Sequence, residues 1–251
     1  MTAAAKTNAR FGGHGILIFM SKFIRSGLFV IWLGLLISSV SVTEAKSQNI
    51  LGEILRRMDL NNKSLQSLKA KVTMTKYNPQ LNVKDITEGS TSYLPKTDKH
   101  VMYVRIDWTT PVEEQVSVIG DAYELYRPRL QQVIVGKTNS SKNNASVGGA
   151  LSFMSMSKSQ LAANYDVIYV DRENLAGETK TSHIHLTPKT ATSYKSADLW
   201  VDDDGFPRQA TITERNDDTT TVLLSNIQKN ITLKASIFKL DYPKSVKKIP
   251  A

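Results

Sequence analysis

The sequence predicts a mainly β protein with helices (α+β), in which an incomplete antiparallel β-barrel, or half-barrel, is covered by helices. Three observations predict this class: one early segment has helical spacing, about ten later segments have strand spacing, and short turns join most of them. Ten strands joined in this way form an up-and-down sheet that curls. The alternation leaves one face of the sheet apolar, so helices must cover it. A curled sheet of this size can hold an apolar ligand.

The helix is predicted from apolar residues that recur every three or four positions. They are Ile50, Leu51, Ile54, Leu55 and Met58. Asn61 and Asn62 are expected to break this helix, and Leu65 and Leu68 suggest one further turn.

Strand spacing begins at Ala70, where Ala70, Val72 and Met74 alternate with polar residues. Further strands are predicted at 102–108, 116–118, 123–125, 133–135, 165–170, 182–187, 197–202, 208–214 and 221–226. Residues 137–149 are rich in Ser, Asn and Gly, which predicts a loop. A Met-rich segment follows and predicts one or two helical turns, through Leu151, Phe153, Met154, Met156 and Leu161.

The first 45 residues are predicted to be an extension plus a signal peptide. Lys22 and Arg25 precede an apolar run of 13 residues, 28–40, and a cleavage site is expected near Ala45. As a helix this run reaches about 20 Å, which is short of the roughly 30 Å of a bilayer core. Met20 would start a signal of ordinary length. Residues 46–251 are then a single exported domain in the periplasm.

Composition excludes several function classes. The net charge of +9 is spread out without dense basic runs, which argues against nucleic acid as a partner. The absence of cysteine excludes disulfides, thiolate metal sites, a cysteine nucleophile and a lipid-bearing cysteine. Hydrolase, nucleotide and zinc-protease motifs are missing, so no enzyme is predicted. Glu113 and Glu114 could supply carboxylates, but neighbours in a strand point to opposite faces.

Two polar motifs, the histidine pair at 183 and 185 and the acidic segment 202–205, are interpreted as structural and not as metal sites. His183 and His185 lie two apart on a strand, opposite Ile184 and Leu186, and are expected to face solvent or loops. No third metal ligand is placed by the sequence, so no metal site is assigned. The segment 202–205 (DDDG) has some likeness to a calcium loop, but it lacks that loop's periodic ligands and is interpreted as a polar hairpin turn.

From Leu55 onward the chain resembles the periplasmic outer-membrane lipoprotein carrier proteins, the LolA family. The segment that carries the likeness best is 105–136, RIDWTTPVEEQVSVIGDAYELYRPRLQQVIVG. Residues 147–170 resemble the family's loop-helix lid and the strand after it, and 199–228 resemble its paired final strands. One departure lies at 93–99 (YLPKTDK), where the best-known members close the lid through an arginine. A lysine lacks the planar arginine fork, so Lys96 is not assigned this role.

The resemblance implies a carrier of lipoprotein acyl chains that works without a cofactor and as a monomer. Its partners would be an inner-membrane ABC lipoprotein exporter and an outer-membrane acceptor. The acyl cavity is expected to be lined from the strands and the lid by Val72, Met74, Met102, Val104, Ile106, Trp108, Val116, Val118, Phe153, Met154 and Met156. Apolar positions of this kind more often form a core. Alternatives are a lipid or lipoprotein sensor, a carrier of another lipid on the same fold, or a secreted hydrolase.

Overall fold

The computed structural model describes residues 41–137, 156–175 and 179–250, with side chains from residue 48 onward. The chain divides into two compact units, Met1–Lys46 and Ser47–Ala251. Nearly all of the predicted signal segment lies outside the described residues, as do the predicted lid residues Phe153 and Met154. Within the described part of the chain, no helix has the length and apolar character to cross a membrane.

Two α-helices, two 3-10 helices and twelve strands make up the described residues. The helices are α1 (Ser41–Ser64) and α2 (Lys158–Asn164), with 3-10 turns at Pro128–Leu130 and Ala235–Phe238. The strands are β1 (Leu68–Asn78), β2 (Val83–Leu94), β3 (Tyr103–Thr110), β4 (Glu114–Ile119), β5 (Ala122–Arg127), β6 (Gln132–Lys137), β7 (Tyr165–Leu175), β8 (Thr179–Pro188), β9 (Tyr194–Asp202), β10 (Pro207–Glu214), β11 (Thr219–Lys229) and β12 (Lys247–Pro250).

All twelve strands form one open sheet, in the order β12-β6-β5-β4-β3-β2-β1-β11-β10-β9-β8-β7. Two antiparallel meanders, β1–β6 and β7–β11, meet where β1 pairs with β11. The sheet does not close, because β7 and β12 remain at its edges. The predicted fold class, a mainly β incomplete barrel with helices, is confirmed.

Two strands were not expected. β2 escaped prediction because Gly89 and Thr91 take positions where a buried strand usually carries large apolar residues. β12 is only four residues long and pairs parallel with β6. A parallel pair needs a long connection, so no local turn signal announces it.

The predicted helix break at Asn61 and Asn62 is wrong. α1 continues to Ser64, and Leu68 begins β1 instead of adding a helical turn. The end of the helix is capped from a distant part of the chain, since the Asn230 side chain accepts from Gln66 N at 2.7 Å and donates to Ser64 O at 3.3 Å. Such a cap satisfies terminal groups that a local motif would otherwise serve.

The turn between β9 and β10 fixes α1 against the sheet. Gly205 has φ +82°, and a Cβ added there would lie 2.3 Å from the carbonyl carbon of Arg57. Arg57 Nη1 donates to Asp203 O at 2.7 Å. The Asp202 carboxylate accepts from Phe206 N and from Arg208 Nε. The predicted polar hairpin is confirmed. In addition, the backbone of α1 at Arg57 packs closely against Gly205 of this turn.

The segment after β11 crosses the outer face of the sheet; we name residues 230–246 the C-terminal strap. Phe238 is fully buried there and contacts the Tyr103 ring, with ring centroids 5.3 Å apart. Its carbonyl accepts from Ser117 Oγ at 2.5 Å, and the carbonyl of Ile237 accepts from Arg105 Nη1 at 2.5 Å. The strap thus backs β3 and β4 before the chain reaches β6 as β12.

Candidate functional site: the inner face of the sheet

The face of the sheet opposite the strap, here called the inner face, is apolar across both meanders. Cross-strand partners in an antiparallel ladder project from the same face. Val72 of β1 stands between Leu224 of β11 and Gly89 of β2. Met74 pairs with Val222 in the same way. The apolar residues of β1 therefore continue directly into those of β11.

The inner face of β3 continues into β4. Ile106 pairs with Val116, and Val104 pairs with Val118. Met102 lies one residue before β3, and its carbonyl accepts from Gly120 N at 2.8 Å, which extends the ladder. These residues, predicted from separate strands, are brought onto one surface.

Trp108 lies opposite Gly89 at an irregularity of the β2–β3 ladder. A Cβ at position 89 would lie 2.2 Å from the carbonyl oxygen of Asp107. The two backbones therefore approach more closely than any side chain at position 89 allows. Glycine here brings the Trp108 backbone against β2 and leaves the Trp108 ring in the buried core.

Helix α1 packs on this inner face. Ile54, Leu55 and Met58 are at most 7% exposed and belong to the same buried cluster as the strand residues. Leu161 of α2 is fully buried in that cluster too. A capping box at Ser157 and Gln160 starts α2, with the Ser157 side chain accepting from Gln160 N and the Gln160 side chain accepting from Ser157 N.

The two meanders differ in how completely their inner faces are buried. In β7–β11, here called the covered half, the central inner residues are between 0 and 1% exposed: Ile184, Leu186, Ala197, Leu199, Val201, Ala210 and Val222. In β2–β6, here called the open half, several inner apolar residues are only partly buried: Tyr93, Val104, Val116, Val118 and Ile134, together with Met102 before β3. Tyr123 and Leu125 of β5 are buried within the open half.

The polar groups on the inner face include phenols and the buried hydroxyls of Thr91, Ser182 and Thr220. Burial raises the pKa of the Tyr93 phenol, in the open half. Burial also raises the pKa of Tyr194, and a hydrogen bond to Tyr165 adds to it, with 2.6 Å between the two phenol oxygens. At the rim, the Glu114 carboxylate lies 3.0 Å from Arg127 Nε. Away from this ion pair the surface offers apolar contact and hydroxyl groups.

The predicted cavity residues fall into three sets. Val72, Met74, Ile106 and Trp108 belong to the main buried cluster. Val104, Val116 and Met156 pack against that cluster while staying partly exposed. Met102 and Val118 are also partly exposed.

The predicted set of cavity residues omits Tyr93, Leu125 and Ile134, which also lie on the inner face. Pairing places Leu125 beside both Val116 and Ile134, and Tyr93 beside Val104. The alternation in β5 did signal Leu125. Tyr93 lay in a strand that the apolar pattern did not reveal.

His183 and His185 lie on the outer face, as their spacing against the buried Ile184 and Leu186 predicted. Their side chains are 17% exposed at His183 and 32% exposed at His185, so both are partly buried. They face outward as expected, but they are only partly exposed to solvent. Asp198 and Trp200 of the neighbouring strand cover them.

The family model of the outer membrane lipoprotein carrier protein LolA matches residues 63–241, which include all of β1–β11. The chain belongs to the LolA family. No curated protein matches it in sequence. The family is described as one of carriers, which agrees with the prediction of a binding protein in place of an enzyme.

Two solved structures with TM-scores above 0.5 share the fold at low sequence identity, and a third is similar at a lower score. MucB is 13% identical with a TM-score of 0.51, and the match covers 76% of this chain and 62% of MucB. An uncharacterised conserved protein from Thermus thermophilus is 10% identical with a TM-score of 0.51, over 80% of this chain and 99% of that one. A LolA superfamily protein from Nitrosomonas europaea is 14% identical with a TM-score of 0.40, over 76% of this chain and 98% of that one.

Proposed function

We propose that this LolA-family protein binds the acyl chains of lipoproteins on the open half of its inner face and carries them across the periplasm. It would receive them from an inner-membrane ABC exporter and pass them to an outer-membrane acceptor, acting as a monomer. The observation that carries the proposal is the partly exposed apolar surface of Met102, Val104, Val116 and Val118, continuous with a fully buried core.

The energetics favour a lipid chain as the ligand. Each methylene removed from water contributes roughly 0.8 kcal/mol, so exposing a chain of about a dozen methylenes costs on the order of 10 kcal/mol. A lipoprotein can cross an aqueous compartment only if a protein covers that chain. The open half supplies branched aliphatic side chains for the contact, and the thioether of Met102 adapts to ligands of different shape.

The first test measures binding of a long-chain fatty acid that carries an environment-sensitive fluorophore. Val104→Asp places a carboxylate in the middle of the proposed contact and should weaken binding at least about tenfold, or roughly 1.4 kcal/mol. Ile168→Asp is the matched control, because Ile168 is 57% exposed on β7 and lies outside the open half. Equal affinity of Val104→Asp and the parent would contradict the acyl site.

The second test concerns the direction of transport. Purified protein added to spheroplasts should release newly made lipoprotein into the medium, and the Val104→Asp variant should release much less. Mass spectrometry of organic extracts from the protein, purified from its native compartment, identifies the bound lipid. Another lipid class with no lipoprotein release would favour the alternative, a sensor or a carrier of that lipid on the same fold.

A further inference from the structure

On the outer face of the covered half, three side chains converge on one point. Asp171 and Glu173 lie on the edge strand β7, and His183 lies on β8 opposite Asp171. One ligand atom from each residue falls within 4.8 Å of the other two. The two carboxylates are 59% and 44% exposed, so an ion can reach them from solvent.

An irregularity in β7 creates this convergence. Tyr169 pairs with Ile184, whereas Asp171 pairs with His183, so Val170 is an extra residue in the ladder. Simple alternation would put Asp171 and Glu173 on the inner face with Tyr165, Val167 and Tyr169. The bulge instead turns both carboxylates to the outer face. The sequence placed no third ligand beside the histidines because it could not reveal this inserted residue.

Asp198 fixes which ring nitrogen of His183 is available. Asp198 Oδ1 lies 2.9 Å from His183 Nε2 and 2.8 Å from His185 Nδ1. An ionised carboxylate only accepts hydrogen bonds, so both of these nitrogens donate. In the neutral ring of His183, Nδ1 then keeps its lone pair and faces Asp171 and Glu173. Metal-binding histidines are commonly held in this way by a carboxylate on the opposite nitrogen.

The distances at Nδ1 fit an ion better than a direct hydrogen bond. Nδ1 lies 3.6 Å from Asp171 Oδ1 and 3.7 Å from Glu173 Oε1, beyond hydrogen-bond range. Ligands about 2.0–2.1 Å from a tetrahedral Zn²⁺ are separated by about 3.3 Å. The two distances from Nδ1 are therefore within a few tenths of an ångström of this separation, and the two carboxylate oxygens lie within 4.8 Å of each other.

Trp200 holds two of the three residues in place. Its ring stacks on His183, with centroids 4.5 Å apart and planes 8° from parallel. Its Nε1–H donates to the Glu173 carboxylate. The orientations of His183 and Glu173 are thus set by neighbours that need not move when an ion enters.

We propose that Asp171, Glu173 and His183 form a binding site for a divalent transition-metal ion of the Zn²⁺ type, with solvent completing the coordination. One imidazole and two carboxylates suit Zn²⁺. Ca²⁺ and Mg²⁺ prefer all-oxygen shells, so they should bind weakly. The ion would link the bulged part of edge strand β7 to β8, on the face opposite the proposed acyl surface.

Calorimetric titration of the tag-free, metal-free protein with ZnCl₂ tests the proposal. One Zn²⁺ should bind per chain and raise the thermal unfolding midpoint. His183→Gln should abolish both effects, and Asp198→Asn should lower the affinity about 10–100-fold by releasing the ring orientation. His185→Gln is the matched control, since His185 shares the Asp198 contact but is not one of the three ligands.

Co²⁺ substitution adds a measurement that does not depend on stability. Visible absorption of bound Co²⁺ should disappear in Asp171→Asn/Glu173→Gln, whose exposed positions leave the fold intact. The proposal is overturned if the parent binds no Zn²⁺ at 1:1 stoichiometry. It is overturned equally if His185→Gln loses as much affinity as His183→Gln, or if the double carboxylate variant keeps the Co²⁺ signal.

Discussion

The covered and open halves use the same alternating strands but differ in how far each face is packed. In the covered half the main buried cluster fills the inner face, and Leu199 and Val222 are fully buried there. In the open half only part of the inner face is buried, and the outer face is packed as well, because the strap places Phe238 against Tyr103 and Ser117. A sheet half that is supported from behind can leave apolar residues partly exposed in front. This division allows one fold to be stable and still offer an apolar surface.

The largest expected effect comes from removing the side chain by which the strap packs on the outer face of the open half. Phe238→Ala should cost about 3–5 kcal/mol of unfolding free energy, because a fully buried ring is lost. Hydrogen exchange should rise in β3–β5 more than in β8–β10. Ile237→Ala is the control, since that side chain is partly exposed and its carbonyl remains to accept from Arg105. Uniform loss of protection across the sheet would contradict the division.

The covered half should depend on the contact between the β9–β10 turn and α1. Gly205→Ala should cost about 2–3 kcal/mol in urea unfolding, because the new Cβ meets the Arg57 backbone at a positive φ. Gly52 in α1 has no atom within 4 Å of an added Cβ. Gly52→Ala should therefore stabilise the protein by about 0.5–1 kcal/mol. Equal and small effects at both glycines would show that the turn does not hold the helix.

One chemical change at two sites compares the halves directly. Val222→Ala should cost about 2 kcal/mol, because the side chain is fully buried and a cavity remains. Val118→Ala should cost under about 1 kcal/mol, since Val118 is already partly exposed. Affinity for the fluorescent fatty acid should fall more in Val118→Ala than in Val222→Ala. Equal stability losses in urea titrations would mean that the two inner faces are packed alike.

The smallest expected effect is a difference in alkaline stability. Burial, and then the hydrogen bond to Tyr165, raise the pKa of Tyr194, so its neutral form is favoured in the folded state. This stabilisation is fully present below the unfolded pKa of about 10 and is lost as the pH rises above it. Tyr194→Phe should flatten the fall in thermal midpoint above about pH 10.

Tyr93→Phe provides the open-half comparison for this effect. Burial raises the pKa of Tyr93, whereas the pKa of Tyr194 is raised by burial and also by the hydrogen bond to Tyr165. The Tyr93 variant should therefore flatten the alkaline fall less than the Tyr194 variant does. A larger effect at Tyr93 would indicate that the open half is the better buried of the two.

Local patterns predicted the class of fold because each strand carries its own alternation. The alternation of Val104, Ile106 and Trp108 predicted β3. The alternation of Val116 and Val118, which pair with β3, predicted β4. β2 was missed because Gly89 makes room for the close approach of β3, a requirement that exists only after the strands pair. The continuation of α1 past Asn61 was missed for the same kind of reason, since its cap comes from Asn230.

The sequence pattern predicted which apolar residues share the inner face. It could not predict how exposed each of their side chains would be. Alternation grouped Val72 with Val104 and Val118, but it could not tell that the first would be buried and the others partly exposed. That difference depends on where α1 and the strap lie, and both are held by long-range contacts such as Arg57 with Asp203. The outer-face cluster needed the extra residue Val170, which no spacing rule locates.

The strap also determines an order of events during folding. It follows all of the strands that it covers, so β3, β4 and β5 leave the ribosome well before Phe238 and Tyr242 can reach them. The β1–β11 pairing likewise joins residues about 150 positions apart and must wait for the second meander, a slow kind of closure. Until then both faces of the first meander are open to water, and its apolar strands can associate with other chains. A chaperone that holds the nascent first meander would protect it during this interval.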